Sequence, residues 1–329
     1  MARLVTIGEV LVDFIAKQKN SKLKDVTTFE KMPGGAPANV AVSVAKYGGK
    51  AVMITQVGKD AFGEFLIETL ASNGVDTSFI KQTSKANTGL AFVSVQSNGE
   101  RDFSFFRNPS ADLLLEPDDI EEKWFKKDDF LHFCSVNLVE SSMKQSHRQA
   151  ILFVKAKNGI ISFDPNVRLS LWDNPSDCKA AIHEFLSFAD IVKVSDEELE
   201  FITSEKNETK ALESLFVGDV KVIVYTKGAN GAILITKEKS FQHLGYCIKA
   251  EDTTGAGDAF IGSFLYQLVD SQVTKSELVS FIHEKHYQLL EFANAGGALT
   301  TMGKGAISAL PTYEQVKKFI EYQTLQDYS

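Results

Sequence analysis

Apolar residues along the chain fall into short continuous runs that alternate with longer segments of helical spacing. "LVTIG" at 4–8 is predicted as a buried strand, "PANVAVSVAKYG" at 37–48 as a helix, "AVMITQVG" at 51–58 as a strand and "AFGEFLIETLASNG" at 61–74 as a helix ending at Gly74. "FLHFC" at 130–134, "GIISFD" at 159–164, "DIVKVS" at 190–195 and "VKVIVYT" at 220–226 predict further strands, with helical patterns between several of them. This βαβα order predicts an α/β fold around a central, mostly parallel sheet.

Two regions break the rhythm. One contains "VDFIAKQ" and "VTTFEKM"; the other, "TGLAFVSVQSNGERDFSFFRN" at 88–108, alternates around "SNGE", where Asn98-Gly99 supplies hairpin chemistry. Together, segments at about 11–33 and 87–110 predict a small inserted β-sheet serving as a lid. The acidic "EPDDIEE" at 116–122 is expected to be a solvated helix start. With no internal repeat or long linker in its 329 residues, the chain is expected to form one large domain plus the accessory element.

Composition narrows the function classes. Hydrophobic residues at 44% and charged residues at 24% fit a globular protein with a sizeable core. A net charge of −8 and the lack of a Lys/Arg block argue against nucleic-acid binding, which leaves a small molecule as the expected ligand. No apolar run has membrane-spanning length and the N-terminal stretch lacks signal-peptide features, so no membrane partner and a cytoplasmic location are expected. Cys134, Cys178 and Cys247 are widely spaced and form no CxxC pair, so reduced, mostly buried thiols are expected rather than disulfides or zinc.

Candidate chemistry concentrates in two glycine-rich corners. In "EDTTGAGDAFIGSFL" at 251–265, Phe260, Ile261, Phe264, Leu265 and Leu268 form a helical apolar stripe, so a helix begins close to Gly257 or Asp258. A helix start offers unpaired N–H groups, and glycines let a bulky anion approach them. An ordinary helix start also tolerates Gly and Asp. A carboxylate beside bound phosphate is unfavourable unless it has work to do, such as accepting a proton from an attacking hydroxyl.

The second corner is "MPGGAPANVAVSVAKYGG" at 32–49, where Gly34 and Gly35 permit close backbone approach, Pro37 fits a first helical turn and Asn39 presents an amide. It has the makings of a polyol-binding corner, although a tight helix entry has the same pattern. Asp13, after the first strand, offers a carboxylate to sugar hydroxyls. Competing motifs fail: "MGKGAIS" at 302–308 lacks the spacing of a P-loop, no GxGxxG follows the first strand, and "HEKH" at 283–286 is not HExxH and reads as a polar helix face.

Taken together, "PGGAPANVA" and "DTTGAGDAF" resemble the PfkB carbohydrate kinase family, the ribokinase-like sugar kinases, and the resemblance covers nearly the whole chain. "FFRNPSADLLL", "DPNVRLSLW" and "ADIVKVSDEEL" are most similar to the fructokinases of that family. "YTKGANGAILI" and "FANAGGALTTMGKGA" match its ATP-site segments. The resemblance implies a ribokinase-like three-layer α/β/α fold with a mostly parallel central sheet and a small β-sheet lid. It implies Asp258 as catalytic base, with backbone N–H groups of Gly255, Ala256 and Gly257 around the developing phosphoryl charge.

By the same resemblance, Asp13, Gly34, Gly35 and Asn39 bind the sugar, with Arg107 and Arg168 as further candidates for sugar or phosphate contacts. Either arginine has a surface salt bridge as its alternative. Thr226, Gly228 and Gly231 match the nucleotide turn, and Asn294 the region beside adenine. The usual NxxE motif is "SDEE" here: Ser195 replaces Asn, and Glu198 is expected to act on Mg2+ through water. Ser195 and Glu198 also have capping-box spacing. A K+-like cation is implied near Asp252, Thr254 and Gly303.

The expected activity is ATP-dependent phosphorylation of a sugar hydroxyl, with D-fructose to fructose 6-phosphate favoured. The alternatives are 2-keto-3-deoxygluconate or another sugar of the family, and a sugar-binding or regulatory protein that lacks catalysis. A homodimer through the lid is a further expectation.

Overall fold

The apolar runs become strands of one nine-stranded sheet in the computed structural model, which describes residues 2–18, 20–95 and 101–327. The N-terminal part contains β1 (Leu4–Ile7), β2 (Leu11–Ala16), β3 (Phe29–Gly34), α1 (Ala36–Lys46), β4 (Ala51–Gly58), α2 (Ala61–Ser72), β5 (Ile80–Thr83), β6 (Leu90–Val95) and β7 (Arg101–Phe106). The middle contains β8 (Phe130–Cys134), α3 (Ser142–Ala156), β9 (Ile160–Asp164), α4 (Pro175–Leu186), β10 (Ile191–Ser195), α5 (Asp196–Thr203), α6 (Glu208–Ser214) and β11 (Val222–Thr226). The last part contains β12 (Ala232–Ile235), β13 (Ser240–His243), α7 (Ala256–Asp270), α8 (Leu278–Thr301), α9 (Ala306–Ala309) and α10 (Tyr313–Asp327).

The large sheet has the order β13-β12-β11-β10-β9-β8-β1-β4-β5, parallel except for the antiparallel β11/β12 and β12/β13 pairs. Every residue of β1, β4, β8 and β9 is buried, which explains their unbroken apolar runs: a parallel strand covered on both faces has no solvent side to alternate toward. Two apolar clusters fill the two faces. On one, α1 contacts β1 and β4, α8 contacts β12 and β13, and α1 and α7 pack together; on the other, α3 contacts β8 and β9, and α5 contacts β10. This is the expected three-layer arrangement.

Strand β1 is a switch point, because the chain builds the sheet toward β4 and β5 on one side and toward β8 and β9 on the other. Ligands in such sheets bind outside the carboxyl ends of the strands near this reversal. Asp164, Ser195 and Thr226 stand at the carboxyl ends of β9, β10 and β11.

The two irregular regions form a separate four-stranded sheet, β3-β2-β6-β7. In it β2 runs parallel to β6 and antiparallel to β3, while β6 and β7 form the expected antiparallel pair. The Asn98-Gly99 turn lies outside the described residues. Phe14 stacks on Phe92 at 5.0 Å and meets Phe62 of α2 edge-on at 5.7 Å, which joins this sheet to the main body.

One expectation needs correction. "EPDDIEE" starts no α-helix; it forms the short 3-10 turns Pro117–Asp119 and Glu122–Trp124, with Pro117, Asp118 and Asp119 in the first. The thiols are free and mostly buried, as expected, with Cys134 and Cys178 inside and Cys247 exposed. His283 and His286 of "HEKH" lie on α8, where His283 bonds Thr236 and His286 stacks on Phe241 at 4.0 Å. Among the described residues no helix is long and apolar enough to cross a membrane.

Candidate active site

Helix α7 begins at Ala256, with Gly255 as its N-cap in the left-handed conformation (φ 76°), one or two residues ahead of the expected start. A Cβ on Gly255 would lie 2.7 Å from that of Ala306, so the turn needs glycine for space as well as for φ. Asp258 therefore sits in the first turn of α7, where it is 8% exposed. Its Oδ2 accepts a 2.7 Å hydrogen bond from Asn39 Nδ2, and its Oδ1 a 3.3 Å bond from Asn166 Nδ2. Burial raises its pKa above the usual carboxylate value, opposed by the Asn39 hydrogen bond and the charges of Lys193 and Arg168.

The 34–39 corner lies on the other side of Asp258. Gly34 ends β3, opposite β2, and a Cβ there would be 2.2 Å from Asp13 Oδ2, so only glycine leaves room for that carboxylate. Gly35 caps α1, and its carbonyl accepts from Asn39 N at 2.9 Å. Asn39 is thereby fixed in the first turn of α1 with its amide turned to Asp258. Beneath the corner, buried Glu9 accepts from Ala36 N at 3.1 Å, and burial lifts its pKa to about 7.

Between the strand ends and α7 opens a cleft of about 540 Å3. Asn166, Arg168, Lys193, Glu198, Gly255 and Asp258 are among the residues that line it. Arg168 is exposed, with Nη1 donating to the Val167 carbonyl at 2.9 Å. Arg107 does not make the surface pair that was its alternative: its side chain is buried in an ion pair with Asp112, which also accepts from Asn137 Nδ2 at 2.8 Å.

Glu198 accepts hydrogen bonds from Val167 N at 2.6 Å, Ser195 N at 3.1 Å and Ser195 Oγ at 2.7 Å, completing the capping box of α5. Burial acts to raise its pKa, but the Lys193 charge and these bonds outweigh it and hold the carboxyl below its ordinary value. Ser195 thus fixes a charged Glu198 at the cleft, an acceptor suited to a metal-bound water. Among the described residues no group of three His, Cys, Asp or Glu side chains is arranged to hold a metal ion.

These features coincide with what the chain matches. The model of the pfkB family of carbohydrate kinases matches residues 1–313. The chain belongs to that family. It is 40% identical over 321 residues to "Probable fructokinase-2" of Arabidopsis thaliana, covering 97% of this kinase and 96% of that one. It is 38% identical to fructokinase-2 of Solanum lycopersicum, covering 94% and 93%. Among solved structures, the fructokinase of Xylella fastidiosa with bound ATP superposes with a TM-score of 0.89 at 32% identity, over 98% of this chain and 100% of that one. The fructokinase of Vibrio cholerae O395 in its fructose, ADP and calcium form gives 0.85 at 34%, over 97% and 99%.

The nucleotide-turn candidates of the kinase lie along the same sheet edge. Thr226 pairs in register with Ser195, and Gly228 and Gly231 shape the turn between β11 and β12. The α-carbon of Gly231 approaches the 243–245 backbone so closely that a Cβ would meet the His243 carbonyl at 2.2 Å. Asn294 of α8 is buried, and its Nδ2 reaches His243 Nδ1 at 3.1 Å and the His243 carbonyl at 3.4 Å, tying that loop to α8. Asp252 accepts from Thr254 N at 3.0 Å and Gly305 N at 3.0 Å, which joins the 252–254 turn to the loop that contains Gly303.

Asn166 and Lys193 of the cleft, and the buried Asp164 that both of them contact, escaped the reading of the sequence. Asp164 and Lys193 form a buried pair at 2.9 Å, and Asp164 also accepts from Asn166 N at 3.1 Å. The available signal was a lysine in an otherwise apolar strand and an Asp-Pro-Asn turn at a strand end.

Proposed function

We propose that this kinase transfers the γ-phosphoryl group of ATP to D-fructose, giving fructose 6-phosphate. The observation that carries the proposal is Asp258: a buried carboxylate on the first turn of a helix, facing both the cleft and the amide of the 34–39 corner. The named relatives and the fructose-bound Vibrio cholerae structure support fructose as acceptor.

In this reading Asp13, Gly34, Gly35 and Asn39 hold the sugar, with Arg168 at the cleft mouth; Arg107 acts from beneath, through its pair with Asp112. Asp258 takes the proton of the attacking hydroxyl, while N–H groups of Gly255, Ala256 and Gly257 receive the charge that develops on the phosphoryl oxygens. The nucleotide lies along Thr226, Gly228 and Gly231, with the loop held by Asn294 beside the base. Magnesium on the ATP phosphates supplies charge neutralisation, and Glu198 holds its water. A monovalent cation belongs to the joined loops of Asp252, Thr254 and Gly303. The β3-β2-β6-β7 sheet closes over the sugar and excludes water. Phe106, 61% exposed on β7, makes this sheet the proposed contact of a homodimer.

The test is ADP release with fructose, ribose, adenosine, 2-keto-3-deoxygluconate and fructose 6-phosphate. Fructose is expected to give the highest kcat/KM. Faster turnover of another sugar replaces fructose as substrate, and sugar binding by calorimetry without turnover replaces the enzyme by a binding protein.

A further inference from the structure

The Lys193–Asp164 pair is out of place as a merely structural pair. Lys193 stands on β10, is 6% exposed, and its Nζ lies 2.9 Å from Asp164 Oδ2. On its other side the ammonium faces the start of α7: a Cβ built on Gly257 would lie only 3.3 Å from Nζ. The start of a helix is already its positive end, with N–H groups that lack partners, so a buried cation is the wrong charge to pack there. Asp164, bonded to the ammonium, and the nearby charges of Glu198 and Asp258 keep it protonated in that position. An anion that enters the cleft, which both Lys193 and Gly257 line, meets the ammonium and the helix N–H groups together.

We propose that Lys193 is a catalytic residue of phosphoryl transfer, donating from Nζ to an oxygen of the transferring γ-phosphoryl group, and that Asp164 is the positioning residue that aims it. The bond from phosphorus to the ADP oxygen breaks, the bond to the sugar oxygen forms, and the hydroxyl proton passes to Asp258. Lys193 keeps its own proton throughout. Asp164 and Glu198 sustain that charge: burial acts to neutralise the amine, but the two carboxylates outweigh it and raise its pKa. Gly257 is glycine because any side chain there would stand between the ammonium and the phosphoryl oxygens.

This inference rests on the kinase reading, and the two fail separately. Wild-type ADP release establishes the reaction and its sugar; Lys193 is then judged by the ratio of variant to wild type with that sugar. Lys193→Met is expected to lower kcat about 10²–10³-fold, the usual cost of losing one preorganised donor to developing charge. KM for ATP and affinity for ADP stay close to wild type, while the added affinity for ADP with aluminium fluoride and sugar, a mimic of the transferring group, disappears.

Because Lys193→Met leaves Asp164 buried without its partner, the double variant Lys193→Met/Asp164→Asn is measured beside it. Removing both charges is expected to preserve the melting temperature but not the rate. A double variant that melts like wild type and recovers most of its kcat, or a Lys193→Met enzyme that still binds the aluminium fluoride complex tightly, overturns the proposal and leaves a structural ion pair.

Discussion

Asn39 and Asp258 are 219 residues apart in the chain and meet in a 2.7 Å hydrogen bond, each from the first turn of its own helix. The proposed sugar corner and the proposed base are thus parts of one device. Asp258→Asn is expected to cut kcat by about 10²–10⁴-fold with ATP binding retained, as measured by steady-state kinetics and nucleotide titration. Asn39→Ala removes a bond that stabilises the ionised form. Since Asp258 must be ionised to accept a proton, the acidic limb of the kcat/KM profile moves to higher pH. An unmoved limb would sink the assignment of Asp258 as the titrating base.

Gly34→Ala tests the sugar corner. The added methyl collides with the Asp13 carboxylate. KM for fructose is expected to rise about tenfold or more while KM for ATP stays near wild type. Equal effects on both substrates would show a global rather than a local disturbance.

Glu198→Gln keeps the shape of the α5 cap but removes its charge. The magnesium concentration for half-maximal rate is expected to rise at least about tenfold, the range seen when a metal's outer partners are lost. Magnesium titration at fixed ATP reads this directly. Ser195→Ala is expected to cost about 1 kcal/mol of stability through the lost cap, visible as a lower denaturation midpoint.

Asn294→Ala frees the 243–245 loop from α8. KM for ATP should rise by up to about tenfold, the worth of one or two modest hydrogen bonds, with KM for fructose unchanged. A change confined to fructose would remove this loop from the nucleotide site.

Glu9 makes stability depend on pH. Its folded pKa of about 7 exceeds the ordinary 4.5, so the protonated form is favoured by folding. The associated stability is complete below about pH 4.5 and is lost as pH rises through about 7, a swing of the order of 3 kcal/mol. Glu9→Gln, which mimics the protonated acid, should gain on wild type as pH goes from 5 to 8 in chemical denaturation. Parallel curves would contradict the shift.

Much of this was legible from the chain. Unbroken apolar runs give β1, β4, β8 and β9 because strands covered on both faces need nothing else, and the alternating segments give β6 and β7. Gly34 and Gly255 marked the two corners because only close backbone approach requires glycine there. Lys193 was illegible for the opposite reason: a lysine inside an apolar strand has no meaning until Asp164 and the start of α7 are seen around it. The partner of Arg107 was equally hidden, since only the fold shows that Asp112 holds it in a buried pair rather than a surface one. The acidic "EPDDIEE" has the charge of a helix start but lacks a following apolar stripe long enough to carry one.

The sheet face packed by α1, α7 and α8 is covered by helices from both ends of the chain, whereas the opposite face is covered by helices from the middle. During synthesis the middle layer can therefore dock first, while the other face waits for residues beyond 256. Until α7 arrives the chain lacks both the proposed base and the proposed anion hole, so on this reading an unfinished chain has no phosphoryl-transfer site. It does leave apolar strands uncovered, the kind of surface that makes incomplete chains prone to aggregate.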